Sequence, residues 1–195
     1  MRFALLSLAA LAAACSPAGT SAKADPACFT RTSEKIGGPF RLTAQNGAVM
    51  TEDDFKGRKT LVFFGFTHCP DVCPDTLFRI GTAMTLLPPG KKAPRTAFIS
   101  VDPSRDTPEE MARYIQSNGF PADIVGLTGT LDELEQVSHA FAAPFSRDED
   151  ADTASGYIVN HSAILYLMDE NWKLQSFFQP GERPQAIAAC IAELG

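Results

Sequence analysis

Two cysteines and a histidine carry the chemistry that this sequence could perform. The run Thr67-His68-Cys69-Pro70-Asp71-Val72-Cys73-Pro74 spaces two thiols four residues apart, and near a helix start that spacing turns both sulfurs to one side. They are then close enough to form a disulfide or to share a metal ion. The preceding stretch, residues 61–66, is continuously apolar, as in a strand buried on both faces, and a helix is expected from about Pro74. A thiol at such a strand-to-helix turn meets free N–H groups and the positive end of the helix dipole, so Cys69 and Cys73 read as a reactive, redox-active pair. The third donor decides between metals. Of the 3 histidines, His161 in Ile158-Val159-Asn160-His161-Ser162 is the candidate. His68, beside Cys69 at the strand end, is expected to point the other way, and His139, inside a helix, reads as structural. Two sulfurs and one imidazole suit copper, because soft thiolates hold Cu(I) and nitrogen helps accommodate Cu(II). A structural zinc site wants a fourth protein ligand.

The elements that must position these residues follow from periodicity. Residues 37–50 read as a hairpin, with Phe40, Leu42 and Ala44 on one face and an Asn46-Gly47 turn. After the cysteine turn and its helix comes a strand at 95–101, ending at Asp102-Pro103. A helix follows with Thr107 as N-cap, Pro108 at its first position and Glu110 completing a capping box. A short strand at 123–127 leads to a second capping box, Thr130 with Glu133, opening a helix through Phe141 whose Leu131, Leu134, Val137 and Phe141 turn inward. Residues 143–157 are acidic and small, an exposed excursion. Strands at 164–168 and 174–178 pair antiparallel, and residues 184–194 form a closing helix. Alternating strands and helices define an α/β layer structure: a thioredoxin-like fold with an N-terminal hairpin extension and an insertion before the final β-hairpin. In that topology His161 lies at a junction beside the redox turn. Asp102 ends a strand next to it, as a residue that supports the site, a partner-docking residue, or an ordinary helix-entry carboxylate.

The chain has 195 residues, 45% of them hydrophobic, and a formal charge of -6, enough for one sizeable core. Its longest basic run is Lys91-Lys92, which excludes the basic footprint that nucleic acid requires. Arg2 followed by an apolar run that ends in small residues before Cys15 reads as an export segment, residues 1–15. That run is well short of the ~20 residues that span a bilayer. The Leu11-to-Cys15 segment is similar to a bacterial lipoprotein cleavage box, although Leu11 stands one place early and cleavage elsewhere in this Ala-rich stretch is the alternative. Lipidated at Cys15, the protein would sit on the periplasmic side of a bacterial membrane, held only by its lipid anchor. Residues 16–35 then read as a flexible tether, and 36–195 as the metal-binding domain. Export into an oxidising compartment leaves Cys28 and Cys190 either disulfide-bonded or as two buried thiols.

Three blocks then stand out: residues 65–74 around the two cysteines, Ser100-Val101-Asp102-Pro103-Ser104-Arg105-Asp106-Thr107-Pro108-Glu109, and Tyr157-Ile158-Val159-Asn160-His161-Ser162. In their order and gaps they resemble the signature blocks of the SCO/SenC copper proteins. The resemblance implies a copper metallochaperone that delivers Cu(I) or Cu(II) to the dinuclear copper-A subunit of cytochrome c oxidase and exchanges copper with other periplasmic carriers. It also implies Cys69, Cys73 and His161 as ligands. Asn160 stands where the family commonly has Asp, which removes a charge but no ligand. The alternative is a thiol-disulfide oxidoreductase that reduces the oxidase's copper-ligating cysteines with the same dithiol. Typical members of that class space their cysteines by two residues.

Overall fold

In the computed structural model, which describes residues 28, 30–33, 35–149 and 156–195, the apolar run before Cys69 is β4 (Thr60–Gly65), with all six residues buried. Around it the chain order is β1 (Thr30–Ser33), β2 (Arg41–Ala44), β3 (Val49–Thr51), β4, α1 (Val72–Thr85), β5 (Arg95–Ser100), α2 (Pro108–Tyr114), β6 (Ile124–Thr128), α3 (Leu131–Ala140), β7 (Phe145–Asp148), β8 (Ile158–His161), β9 (Leu165–Met168), β10 (Leu174–Phe178) and α4 (Pro184–Leu194). One sheet runs β1-β10-β9-β4-β5-β6-β2-β3, and β7 and β8 form a separate two-stranded ribbon. β4, β5 and β6 are parallel, while β9 runs antiparallel to β4.

Neighbouring residues of a strand face opposite ways, and β4 uses both. Phe63 stacks on Phe98 of β5, which in turn stacks on Tyr114 at the end of α2. Phe64 meets Phe141 and Tyr166 on the other face. The cysteine turn therefore leaves a strand locked from both sides, which fixes where the turn begins.

The helix signals appear in the structure. The Thr130–Glu133 capping box is complete, with Thr130 Oγ1 accepting from Glu133 N at 3.3 Å and Glu133 accepting from Thr130 N at 2.8 Å. At α2, Thr107 accepts from Glu110 N at 3.3 Å, but the Glu110 carboxylate turns to Arg113 one helical turn on. The Asn46-Gly47 turn closes β2 on β3, with Gly47 at φ 81°, a conformation that glycine adopts without steric cost.

Four expectations are revised. The stretch expected as a tether, residues 16–35, contributes β1, which pairs with β10 at the sheet edge. The excursion at 143–157 contains β7, zipped antiparallel to β8. Leu131 is half exposed, because at the first position of α3 it points off the buried stripe set by Leu134 and Val137. His139 lies on the solvent side of α3. The 1–15 export segment and Cys15 lie outside the described residues. No helix among the described residues is long and apolar enough to cross a membrane.

Candidate metal centre

α1 begins at Val72, with Asp71 as its N-cap, so Cys73 sits in the first helical turn and Cys69 in the approach to it. The first N–H groups of a helix have no partner within it, and here the Cys73 N–H points at Cys69 Sγ, 3.4 Å away. Cys69 is half-buried, whereas Cys73 is fully buried. Room for the inner sulfur comes from Gly65. A Cβ at that position would lie 2.8 Å from Cys73 Sγ and 2.8 Å from the Phe98 ring.

His161 ends β8 and brings Nε2 to 3.6 Å from Cys73 Sγ. Its Nδ1 lies 3.0 Å from the Ser162 carbonyl; since a carbonyl only accepts, the proton belongs on Nδ1 and the Nε2 lone pair faces the sulfurs. The ring stands edge-on to Phe63 and Phe66, which limits its rotation. One donor atom from each of Cys69, Cys73 and His161 lies within 4.8 Å of the others, and among the described residues this is the cluster of three or more metal-donor side chains that could hold an ion. His68 is outside it, exposed, with Nδ1 3.0 Å from the Thr67 hydroxyl.

The two thiols divide one proton unequally. The Cys73 thiol donates toward Cys69 and, helped by backbone N–H groups of Cys73 and Asp71, lowers the Cys69 pKa to about 4 against the opposing cost of burial. The same hydrogen bond, burial and the Cys69 charge push Cys73 far above the ordinary thiol range. Cys69 is therefore a thiolate at neutral pH and Cys73 a thiol. A thiophilic ion that replaces the shared proton gains both sulfurs and the imidazole.

A second ring of residues holds this geometry, and apart from Asp102 its members went unassigned in the sequence. Asp106 is buried and accepts from the Thr67 hydroxyl at 2.6 Å, the Thr67 N–H at 3.2 Å and the Ser100 hydroxyl at 2.6 Å, pinning the turn before Cys69. Burial raises its pKa, opposed by those same bonds. Asp102 is only 2% exposed, its carboxylate turned inward. It pairs with Arg105 and accepts from the Tyr157 hydroxyl at 2.8 Å, tying the start of β8 to the loop after β5. The signal for these residues was already present, since Arg105 and Asp106 stand in the second sequence block and Tyr157 opens the third.

Cys28 and Cys190 are disulfide-bonded, and the Ser176 hydroxyl lies 3.5 Å from Cys190 Sγ. The bridge joins the segment before β1 to α4 and uses neither thiol of the metal cluster.

Fold and site together define a thioredoxin-like protein in which an imidazole stands beside the dithiol turn, a cluster that could hold a metal ion. The SCO1/SenC family model matches residues 29–194, and the chain belongs to that family. It is 40% identical over 162 residues to the human mitochondrial SCO1 homolog, covering 80% of this chain and 52% of that protein. To a SCO2-like protein of Rickettsia prowazekii it is 37% identical over 144 residues, 74% of this chain and 69% of that one. The chain thus spans about half the length of the human relative. Arabidopsis thaliana ScoI, solved with copper bound, superposes with a TM-score of 0.75 at 33% identity, covering 81% of this chain and 96% of that one. Yeast Sco1 with copper bound gives 0.74 at 31% identity, covering 82% and 87%.

Proposed function

We propose that this chain binds one copper ion through Cys69, Cys73 and His161 and delivers it to the dinuclear copper-A subunit of cytochrome c oxidase. The observation that carries the reading is the meeting of two sulfurs and an imidazole nitrogen within 4.8 Å of one another. That donor set is soft enough for Cu(I) and includes the nitrogen Cu(II) prefers. Relatives of this fold and family solved with copper bound support it. The half-exposed Cys69 is the bond that an incoming acceptor thiol can replace first, while the buried Cys73 keeps hold until the exchange is complete. Delivery fits an exported protein held by a lipid on Cys15 at the periplasmic face, able to trade copper with other periplasmic carriers.

A second reading has its own support. A depressed thiolate beside a buried resolving thiol is the arrangement of a thiol-disulfide oxidoreductase, which would reduce the oxidase's copper-ligating cysteines. One experiment separates the two. The copper-loaded protein is mixed with the apo, reduced copper-A domain; delivery produces the copper-A absorption and leaves the donor copper-free. If copper stays on the donor while the copper-free dithiol protein reduces an oxidised copper-A domain, the reductase reading holds instead. Anchoring is tested by mass spectrometry of the mature protein from its host, and an unmodified N-terminus at any residue other than Cys15 rules it out.

A further inference from the structure

His161 reaches the sulfurs from the β7–β8 ribbon, which shares no ladder with the eight-stranded sheet. Strand pairing in the main sheet therefore does not set the position of the imidazole, and a two-stranded ribbon is only marginally stable by itself in water. Near the site the ribbon is held by Val159, buried in the core, and by the Phe63 and Phe66 rings around His161. Most of its remaining residues are exposed.

The far attachment is polar and built around Tyr157, which is buried at 7% exposure. Its hydroxyl donates to Asp102 at 2.8 Å. The Arg105 guanidinium lies 3.9 Å from the ring centroid and that of Arg147 lies 3.5 Å from it. Two guanidinium groups so close to one centroid cannot share a face, so the ring is held between a largely buried Arg105 and an exposed Arg147 that also pairs with Glu149 at 2.6 Å. Arg147 comes from β7 and also donates to Ser104 at 3.3 Å, so both strands of the ribbon are fastened to the loop after β5. Arg105 lies 5.7 Å from the Phe66 ring as well, and Phe66 stands against His161. Tyr157 is four residues from His161, ~13 Å along an extended strand, too far to touch an ion in the site.

We propose that Tyr157, clamped by Asp102, Arg105 and Arg147, is a positioning residue for the imidazole. It holds the ribbon where His161 Nε2 meets the two sulfurs and thereby sets the affinity for Cu(II) without touching the ion. The inference rests on the copper reading above. Where a binding-competent arrangement is only partly populated, apparent affinity falls by that fraction. A ribbon that spends a tenth of its time in place would lose about tenfold in Cu(II) affinity, whereas Cu(I), held by the two thiolates, would change little.

The test titrates reduced wild type, Tyr157→Phe, Arg147→Met and His161→Ala with Cu(I) against a chelator and with Cu(II), and compares amide NMR spectra of the copper-free proteins. Tyr157→Phe keeps the ring and its stacking, so the fold should survive with shifts confined to the ribbon and the loop after β5. The expected result is about a tenfold loss of Cu(II) affinity in both Tyr157→Phe and Arg147→Met, with Cu(I) affinity within about twofold of wild type. Unchanged Cu(II) binding in both variants overturns the proposal. So does an equal loss of Cu(I) and Cu(II), which marks Tyr157 as merely structural. If wild type binds no copper, or His161→Ala binds Cu(II) like wild type, the copper reading itself fails and the positioning role falls with it.

Discussion

Removing the Cys28–Cys190 bridge should cost this protein a large part of its stability while leaving the metal centre assembled. The two cysteines are 162 residues apart in sequence, so the cross-link closes almost the whole folded domain into one loop. For a loop of that length the chain-entropy relation gives a denatured-state entropy loss of roughly 17 cal/mol/K, about 5 kcal/mol at room temperature. Residual compactness of the unfolded chain lowers the realised value, so a loss of ~3 to 5 kcal/mol is expected for Cys28→Ala/Cys190→Ala. Against a typical total of about 5 to 15 kcal/mol this is severe, a drop in melting temperature of roughly 6 to 20 °C for a domain of this size. The assay is urea unfolding of the oxidised protein and the double variant, which also reports the m-value; a less constrained unfolded state should raise m as well as lower the midpoint. Hydrogen exchange should speed up at β1, the edge strand of the sheet, whose ladder partner is β10. A stability loss below about 1 kcal/mol, or peptide mapping that finds both thiols free, would refute the reasoning.

Three further perturbations test the site. Because the Cys69 pKa is lowered to about 4 by the Cys73 thiol, its iodoacetamide alkylation should be nearly flat from pH 6 to 8, whereas an ordinary thiol accelerates steadily; a steep rise would show the thiolate is not held. The same shift links to stability. A depressed folded pKa adds stability that is complete above the unfolded thiol value near 9 and is lost as pH falls toward about 4. Reduced wild type should therefore lose stability relative to Cys69→Ser between those limits on acidification, and parallel curves would contradict this. Gly65→Ala places a Cβ 2.8 Å from Cys73 Sγ, so it should destabilise by about 1 to 3 kcal/mol and weaken metal binding, and wild-type behaviour in both assays would show that Cys73 can move freely.

The parts of the fold that could be read from sequence are those where one local signal dominates. The apolar run of β4, the Thr130–Glu133 capping box, the Asn46-Gly47 turn and the apolar stripe of α4 each state their own structure. β1 has no such signal: Thr-Arg-Thr-Ser neither alternates nor runs apolar, and it becomes a strand because β10 offers an unpaired edge beside the disulfide. β7 is equally silent, since its residues are mostly exposed and the ribbon is fastened by Arg147 and Tyr157 across sequence gaps that no periodicity covers. The ligand types were legible from the spacing of the cysteines and the block around His161. Gly65, Asp106 and Tyr157 stand inside the three sequence blocks, but what each does could not be read there, because their roles are distances between segments: space beside a sulfur, a carboxylate reaching across to Thr67, a hydroxyl meeting Asp102.

The central claim is that His161 completes a copper site which the dithiol alone does not. It is tested most directly by optical titration of the reduced protein with Cu(II), in wild type, His161→Ala, Cys69→Ser and Cys73→Ser. Wild type should bind one copper per chain and develop a thiolate-to-copper charge-transfer band. His161→Ala should lose that band while its dithiol still exchanges with a disulfide substrate, and either serine variant should lose both. An unchanged Cu(II) band in His161→Ala would contradict the account, because the third ligand would then lie elsewhere and the thiol pair would be left with the chemistry of an oxidoreductase.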